Sequence, residues 1–125
     1  MFEVSVEHTF AAGHALRHYR GKCENVHGHN YRVQVIVRGE KVDRVTGMLA
    51  DFTELKRLLR EISEPLDHVF LNDIEPFTVV NPSAENIAKH IYDETSKQMH
   101  QTPNGAGISS ITVWESDVTA ATYRP

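Results

Sequence analysis

Apolar and polar side chains alternate over residues 2 to 14, with Phe2, Val4, Val6, His8, Phe10, Ala12 and His14 on one side and Glu3, Ser5, Glu7 and Thr9 on the other. A period of two predicts a half-buried strand. Gly13 interrupts the pattern just before His14, and a glycine there predicts a bend or bulge that re-aims the histidine. Residues 15 to 26 are polar, basic and aperiodic, so they predict a loop. A second alternating run over residues 27 to 38 aligns His27, His29, Tyr31, Val33, Val35 and Val37 on one face. Two long strands joined by that loop pair most simply as antiparallel neighbours, which brings His14 near His27 and His29.

The period then changes. After a charged turn over residues 39 to 47, Asp51 followed by Glu54 has the form of a capping box, and Phe52, Leu55, Leu58, Leu59 and Ile62 form one apolar stripe. This predicts an amphipathic helix that ends before Pro65. Residues 66 to 73 form a short apolar stretch carrying the pair Asp67-His68, and Pro76 and Pro82 bracket a connector. Ser83 is a candidate N-cap for a second helix reaching about Met99, with Ala84, Ile87, Ala88, Ile91 and Tyr92 on its core stripe. Turn residues around Pro103 to Gly107 lead into a third strand over residues 108 to 116, and residues 120 to 123 offer a fourth. The order β, β, α, α, β, β predicts an α+β domain spanning residues 1–125: one four-stranded antiparallel sheet with two helices on one face. Such a sheet leaves two open edges and one uncovered face, so the chain is expected to oligomerise.

Composition narrows the function. A length of 125 residues suits one domain, and 24% charged with 40% hydrophobic residues is ordinary for a globular chain. A net charge of -4 argues against nucleic acid as partner, since phosphate contacts need clustered Lys and Arg. No apolar run approaches membrane-spanning length, Met1 leads straight into a strand pattern, and Cys23 is the single cysteine. The expectation is a cytoplasmic protein. Eight histidines are the one compositional oddity and point to metal or proton chemistry.

The pair His27 and His29 opens an otherwise apolar face, and two imidazoles aimed at one point suit a divalent zinc ion. With His14 as third ligand a coordination position stays open for water or a substrate oxygen, as in catalytic sites. The competing set is Cys23, His27 and His29, a tighter and structural arrangement. Cys23 is also a candidate base, its thiolate favoured by Arg20, Lys22 and a nearby cation and opposed by Glu24. Asp67 beside His68 has the composition of a carboxylate orienting an imidazole. Glu115 shares a face with Ile111 and Val113, and a carboxylate there needs a multiply donating partner, such as the paired N–H edge of a pterin or guanine. The basic trio Arg17, Arg20 and Lys22 is a candidate attractor for a polyphosphate.

The motifs Phe10-Ala11-Ala12-Gly13-His14, Cys23-x-x-x-His27-Gly28-His29-x-Tyr31, Gly47-Met48-x-x-Asp51-Phe52, Leu66-Asp67-His68, Asn81-Pro82-Ser83-x-Glu85-Asn86 and Glu115-Ser116 occur in order along nearly the whole chain. Together they resemble the 6-pyruvoyl-tetrahydropterin synthase superfamily. The three residues between Cys23 and His27 are similar to its bacterial 6-carboxytetrahydropterin synthase branch, which serves queuosine biosynthesis. The resemblance implies the tunnelling (T) fold, closed into a barrel by trimerisation and paired into a hexamer, a dimer of trimers. It implies zinc held by His14, His27 and His29, with Cys23 as proton-transferring base and Asp67 and His68 as an acid/base pair from an adjacent subunit. Glu115, with Ser83 and Glu85 at the second helix start, would bind the pterin. The implied reaction turns 7,8-dihydroneopterin triphosphate into 6-carboxy-5,6,7,8-tetrahydropterin. The alternatives are the 6-pyruvoyl product or a zinc- and pterin-binding module without turnover.

Overall fold

The alternating runs form two long strands, β1 (Phe2–His14) and β2 (His27–Gly39), antiparallel from Phe2↔Gly39 to His14↔His27. The computed structural model describes residues 1–20, 25–99 and 104–125. Gly13 lies opposite Gly28 in regular register, so the expected bulge is absent. A Cβ at Gly13 would meet the His27 carbonyl at an ordinary 3.5 Å. His14 reaches the histidine pair simply because it is the last cross-strand partner, and parity puts its side chain on the same face.

Helix α1 (Phe52–Ser63) starts where the Asp51 carboxylate accepts the Thr53 N–H at 2.8 Å. Glu54 pairs with Arg57 at 2.9 Å instead of returning to the cap, so only half of the capping box forms. Leu55, Leu58, Leu59 and Ile62 are buried as expected, whereas Phe52, in the first turn, is 51% exposed. Pro65 then tightens the chain into a 3-10 turn over Glu64–Leu66. Helix α2 (Ala84–Gln98) is capped by Ser83, whose hydroxyl accepts the Asn86 N–H at 3.2 Å, and it buries Ile87, Ala88, Ile91 and Thr95.

Between the helices lies a short strand, β3 (Val69–Phe70), parallel to β1 at Ala12 and Gly13. After α2 come β4 (Gly107–Ser116), antiparallel to β2, and β5 (Thr119–Tyr123), antiparallel to β4. The sheet is therefore five-stranded and mixed, in the order β3-β1-β2-β4-β5, and corrects the expected four-stranded antiparallel one. Two residues are too few to show a period, which is why β3 leaves no alternation in the sequence. The four long strands are as expected, and one face of them, bearing Val6, Phe10, Tyr31, Val33, Val35, Val37, Ile111 and Val113, forms the core with both helices. The other face is polar: Glu3 pairs with Arg38, Glu7 with Arg32 at 3.3 Å, and the Arg32 guanidinium lies 3.9 Å over the Trp114 ring.

β3 is fastened to β1 by two bonds at Ala11. Its N–H donates to Asp67 Oδ1 at 2.9 Å, and its carbonyl accepts from the His68 N–H at 2.6 Å. The Ala11 amide, with help from His68, holds the Asp67 carboxyl below its usual range. Two outcomes are expected. Leu59, 1% exposed, should cost about 2 to 5 kcal/mol on truncation to Ala in urea unfolding, against about 0.5 kcal/mol for Phe52→Ala. Because the folded pKa of Asp67 is depressed, the tether is complete above the unfolded carboxylate pKa of about 4 and is lost as pH falls through the folded value. Hydrogen exchange at the Ala11 amide should therefore lose protection selectively in acid; protection held down to about pH 2 would contradict the tether.

Candidate metal centre

The β1–β2 register ends by stacking His14 on His27, with His29 one pleat away on the same face. In β4 the pairing Val33↔Val113 and Arg32↔Trp114 carries Glu115 up beside Tyr31 and diagonally toward His29. One ligand atom from each of His14, His27, His29 and Glu115 lies within 4.8 Å of the others.

Second-layer carbonyls decide which nitrogens face inward. The Nδ1–H of His14 donates to the Pro82 carbonyl at 2.7 Å and that of His27 to the Asn25 carbonyl at 2.7 Å. A carbonyl has no hydrogen to give, so in each neutral ring Nε2 carries the lone pair. Those two Nε2 atoms stand 2.9 Å apart. Two lone pairs at that distance repel unless a cation lies between them. Among the described residues, His29 Nε2 is buried with no hydrogen-bond partner, a donor atom that a cation would satisfy. The three rings stand at 62°, 83° and 87° to one another, as imidazoles do around a single ion. Tetrahedral zinc with ligands at about 2.0 to 2.1 Å has edges of roughly 3.3 Å, so the donor set fits zinc. Burial, outweighing the Glu115 charge, lowers the pKa of His14 and of His29, which keeps both rings in the neutral, ligating form. The Tyr31 phenol is pushed well up by burial and then by Glu115, and its hydroxyl is buried beside the cluster without a partner among the described residues.

The remaining expected site residues that the structure describes are not gathered at this point. Asp67 and His68 lie outside the four-donor group; His68 Nδ1 is 3.0 Å from Asp67 Oδ1, and its side chain is 81% exposed. His68 also has a backbone φ of 58°, left-handed for a residue with a Cβ, held there by its N–H bond to Ala11. Ser83 faces Asn86 as a cap, whereas Glu85 and Ala84 line a surface pocket with Glu115 and β5 residues 119 to 122. Cys23, and with it the competing ligand set, lies outside the described residues. Arg17 does not stand free for a polyphosphate: its guanidinium donates to the carbonyls of Phe77 at 2.7 Å, Val80 at 3.4 Å and Asn72 at 3.5 Å. Asn72 and Asn81 clamp the backbone of Ala15 and Arg17 through paired bonds of 2.8 to 2.9 Å. Sequence reasoning missed these clamps and the Pro82 carbonyl. The placement of Glu115 beside the histidines had a signal, its shared parity with Val113.

Residues 3–125 match the family model for 6-pyruvoyl tetrahydropterin synthase. The chain is 30% identical to the 6-carboxy-5,6,7,8-tetrahydropterin synthase of Haemophilus influenzae, covering 99% of both chains. It is 42% identical to the 6-pyruvoyl tetrahydrobiopterin synthase of Poecilia reticulata over 73% of this chain and 71% of that one. Its fold superposes on Caenorhabditis elegans 6-pyruvoyl tetrahydropterin synthase with a TM-score of 0.82 at 30% identity, covering 100% of this chain and 97% of that one. Fold, donor set and a match along the whole chain have one explanation: the chain belongs to the 6-pyruvoyl tetrahydropterin synthase family.

Proposed function

We propose that the chain is a zinc-dependent 6-carboxy-5,6,7,8-tetrahydropterin synthase, releasing triphosphate and acetaldehyde from 7,8-dihydroneopterin triphosphate. The observation that carries the reading is the convergence of three imidazole donors, two of which, His14 and His27, have their outer nitrogens bonded to the Pro82 and Asn25 carbonyls. Bound there by His14, His27 and His29, zinc would supply Lewis acidity toward side-chain oxygens of the substrate. The end-to-end match to the Haemophilus protein and the three-residue interval from Cys23 to His27 favour the 6-carboxy branch.

The chain's own residues take the remaining roles. Cys23 removes a proton from the substrate side chain. His68, its ring oriented by Asp67 and its free nitrogen turned to solvent, is suited to deliver a proton into a site formed with an adjacent subunit. The left-handed φ at His68 supports a positional role, because such strain persists where surroundings enforce it. Glu115 accepts the paired N–H donors of the pterin, and Ser83 and Glu85 border the ring at the start of α2. The outer edge of β5, and the length of β1 that the two-residue β3 does not cover, favour a barrel trimer, doubled into a cytoplasmic hexamer.

The 42% identity to the Poecilia protein favours a second reading, the 6-pyruvoyl product. Incubation of the zinc-loaded protein with dihydroneopterin triphosphate and mass analysis should yield 6-carboxytetrahydropterin and acetaldehyde; a 6-pyruvoyl product with no acetaldehyde decides for the second. His27→Ala should lose zinc and turnover while its circular dichroism stays that of the parent. A Cys23→Ala protein as active as wild type would contradict the base assignment.

A further inference from the structure

We propose that Glu115 is an exchangeable fourth ligand of the metal, closing the coordination sphere in the resting protein and releasing it when a ring with paired N–H donors enters. The inference rests on the pterin-synthase reading and assigns its ring anchor a second task. Glu115 Oε1 lies 3.1 Å from His14 Nε2 and 3.5 Å from His29 Nε2. With the 2.9 Å separation of the His14 and His27 nitrogens, these distances bracket the roughly 3.3 Å edge of a zinc tetrahedron. The atom facing Oε1 from His14 is the nitrogen whose ring hydrogen has gone to Pro82 on the other side. A carboxylate oxygen faces the lone pair of His14 at such a distance when a cation joins them, and the His29 nitrogen stands beside both.

The same side chain also borders the pocket formed with Ala84, Glu85 and residues 119 to 122 of β5, and it is 27% exposed overall. It stands between the metal centre and that pocket. Accepting two parallel N–H donors takes both carboxylate oxygens, presented in the plane of the ring. Oε1 cannot face two imidazoles and a coplanar ring at once, so seating the ring turns the carboxylate out of the coordination sphere. The open position therefore forms only after the ring is bound, and a substrate oxygen arrives at a metal that free anions in solution have not already occupied.

The test uses the full chain loaded with cobalt(II), whose visible bands report coordination, and a pterin without a C6 side chain, which offers the N–H pair but no side-chain oxygen for the metal. Wild type and Glu115→Gln should differ in their bands without ligand, and the zinc Kd of Glu115→Gln should rise by about tenfold or more. The pterin should shift the wild-type bands toward those of Glu115→Gln and leave the variant's bands unchanged. Identical bands and zinc affinity in wild type and variant overturn the ligation. A pterin that binds, by fluorescence, without moving the wild-type bands overturns the exchange. If the pterin fails to bind although the bands of the two proteins differ, the exchange falls together with the ring-anchor reading, and the ligation alone is upheld.

Discussion

Two backbone carbonyls, those of Pro82 and Asn25, set the chemistry of this fold by taking the outer N–H of His14 and His27. Each fixes an imidazole in one tautomer and turns its lone pair inward, so that electron-rich atoms crowd a point that only a cation can make favourable. The carbonyls come from segments with other duties. Pro82 directly precedes the cap of α2, and Asn25 precedes the first residue of β2. Helix start and strand start thus double as the second layer of the centre, which ties its geometry to the packing of α2 on the sheet.

The sheet does the coarse positioning. An uninterrupted antiparallel register places His14 against His27, and parity does the rest, putting His29, Tyr31 and Glu115 on the core side of neighbouring strands. At one end the core face turns from Val and Ile to imidazole and carboxylate, where His14 is fully buried and His27, His29 and Glu115 are half-buried. The flanking loop is held by side chains that imitate a strand partner. Asn72 and Asn81 each bond both backbone groups of a residue in the segment after His14, while Arg17 closes onto three carbonyls.

How much of this was legible in the sequence follows from what leaves a period. The alternation of β1 and β2, the stripe Leu55, Leu58, Leu59 and Ile62, and the shared face of His27 and His29 are side-chain patterns, and each appears in the structure as expected. Glu115 was legible as an anomaly, a carboxylate on an apolar face, although its neighbours were not. Backbone partners are invisible: nothing in the letters Asn81-Pro82-Ser83 says that the proline carbonyl will hold a histidine. β3 was hidden because two residues have no period, and its parallel pairing depends on a crossover instead of a turn. Gly13 misled for a related reason, since a glycine inside a strand signals a bulge in the sequence but here sits in an unbroken ladder. The positive φ of His68 has no signature in its residue type.

X-ray absorption at the zinc edge of the metal-loaded protein tests the central claim most directly. Three imidazoles turned inward predict a first shell of nitrogen and oxygen only, at about 2.0 to 2.1 Å, with outer-shell scattering from three rings. A sulfur ligand at about 2.3 Å, or fewer than three imidazoles, would contradict it.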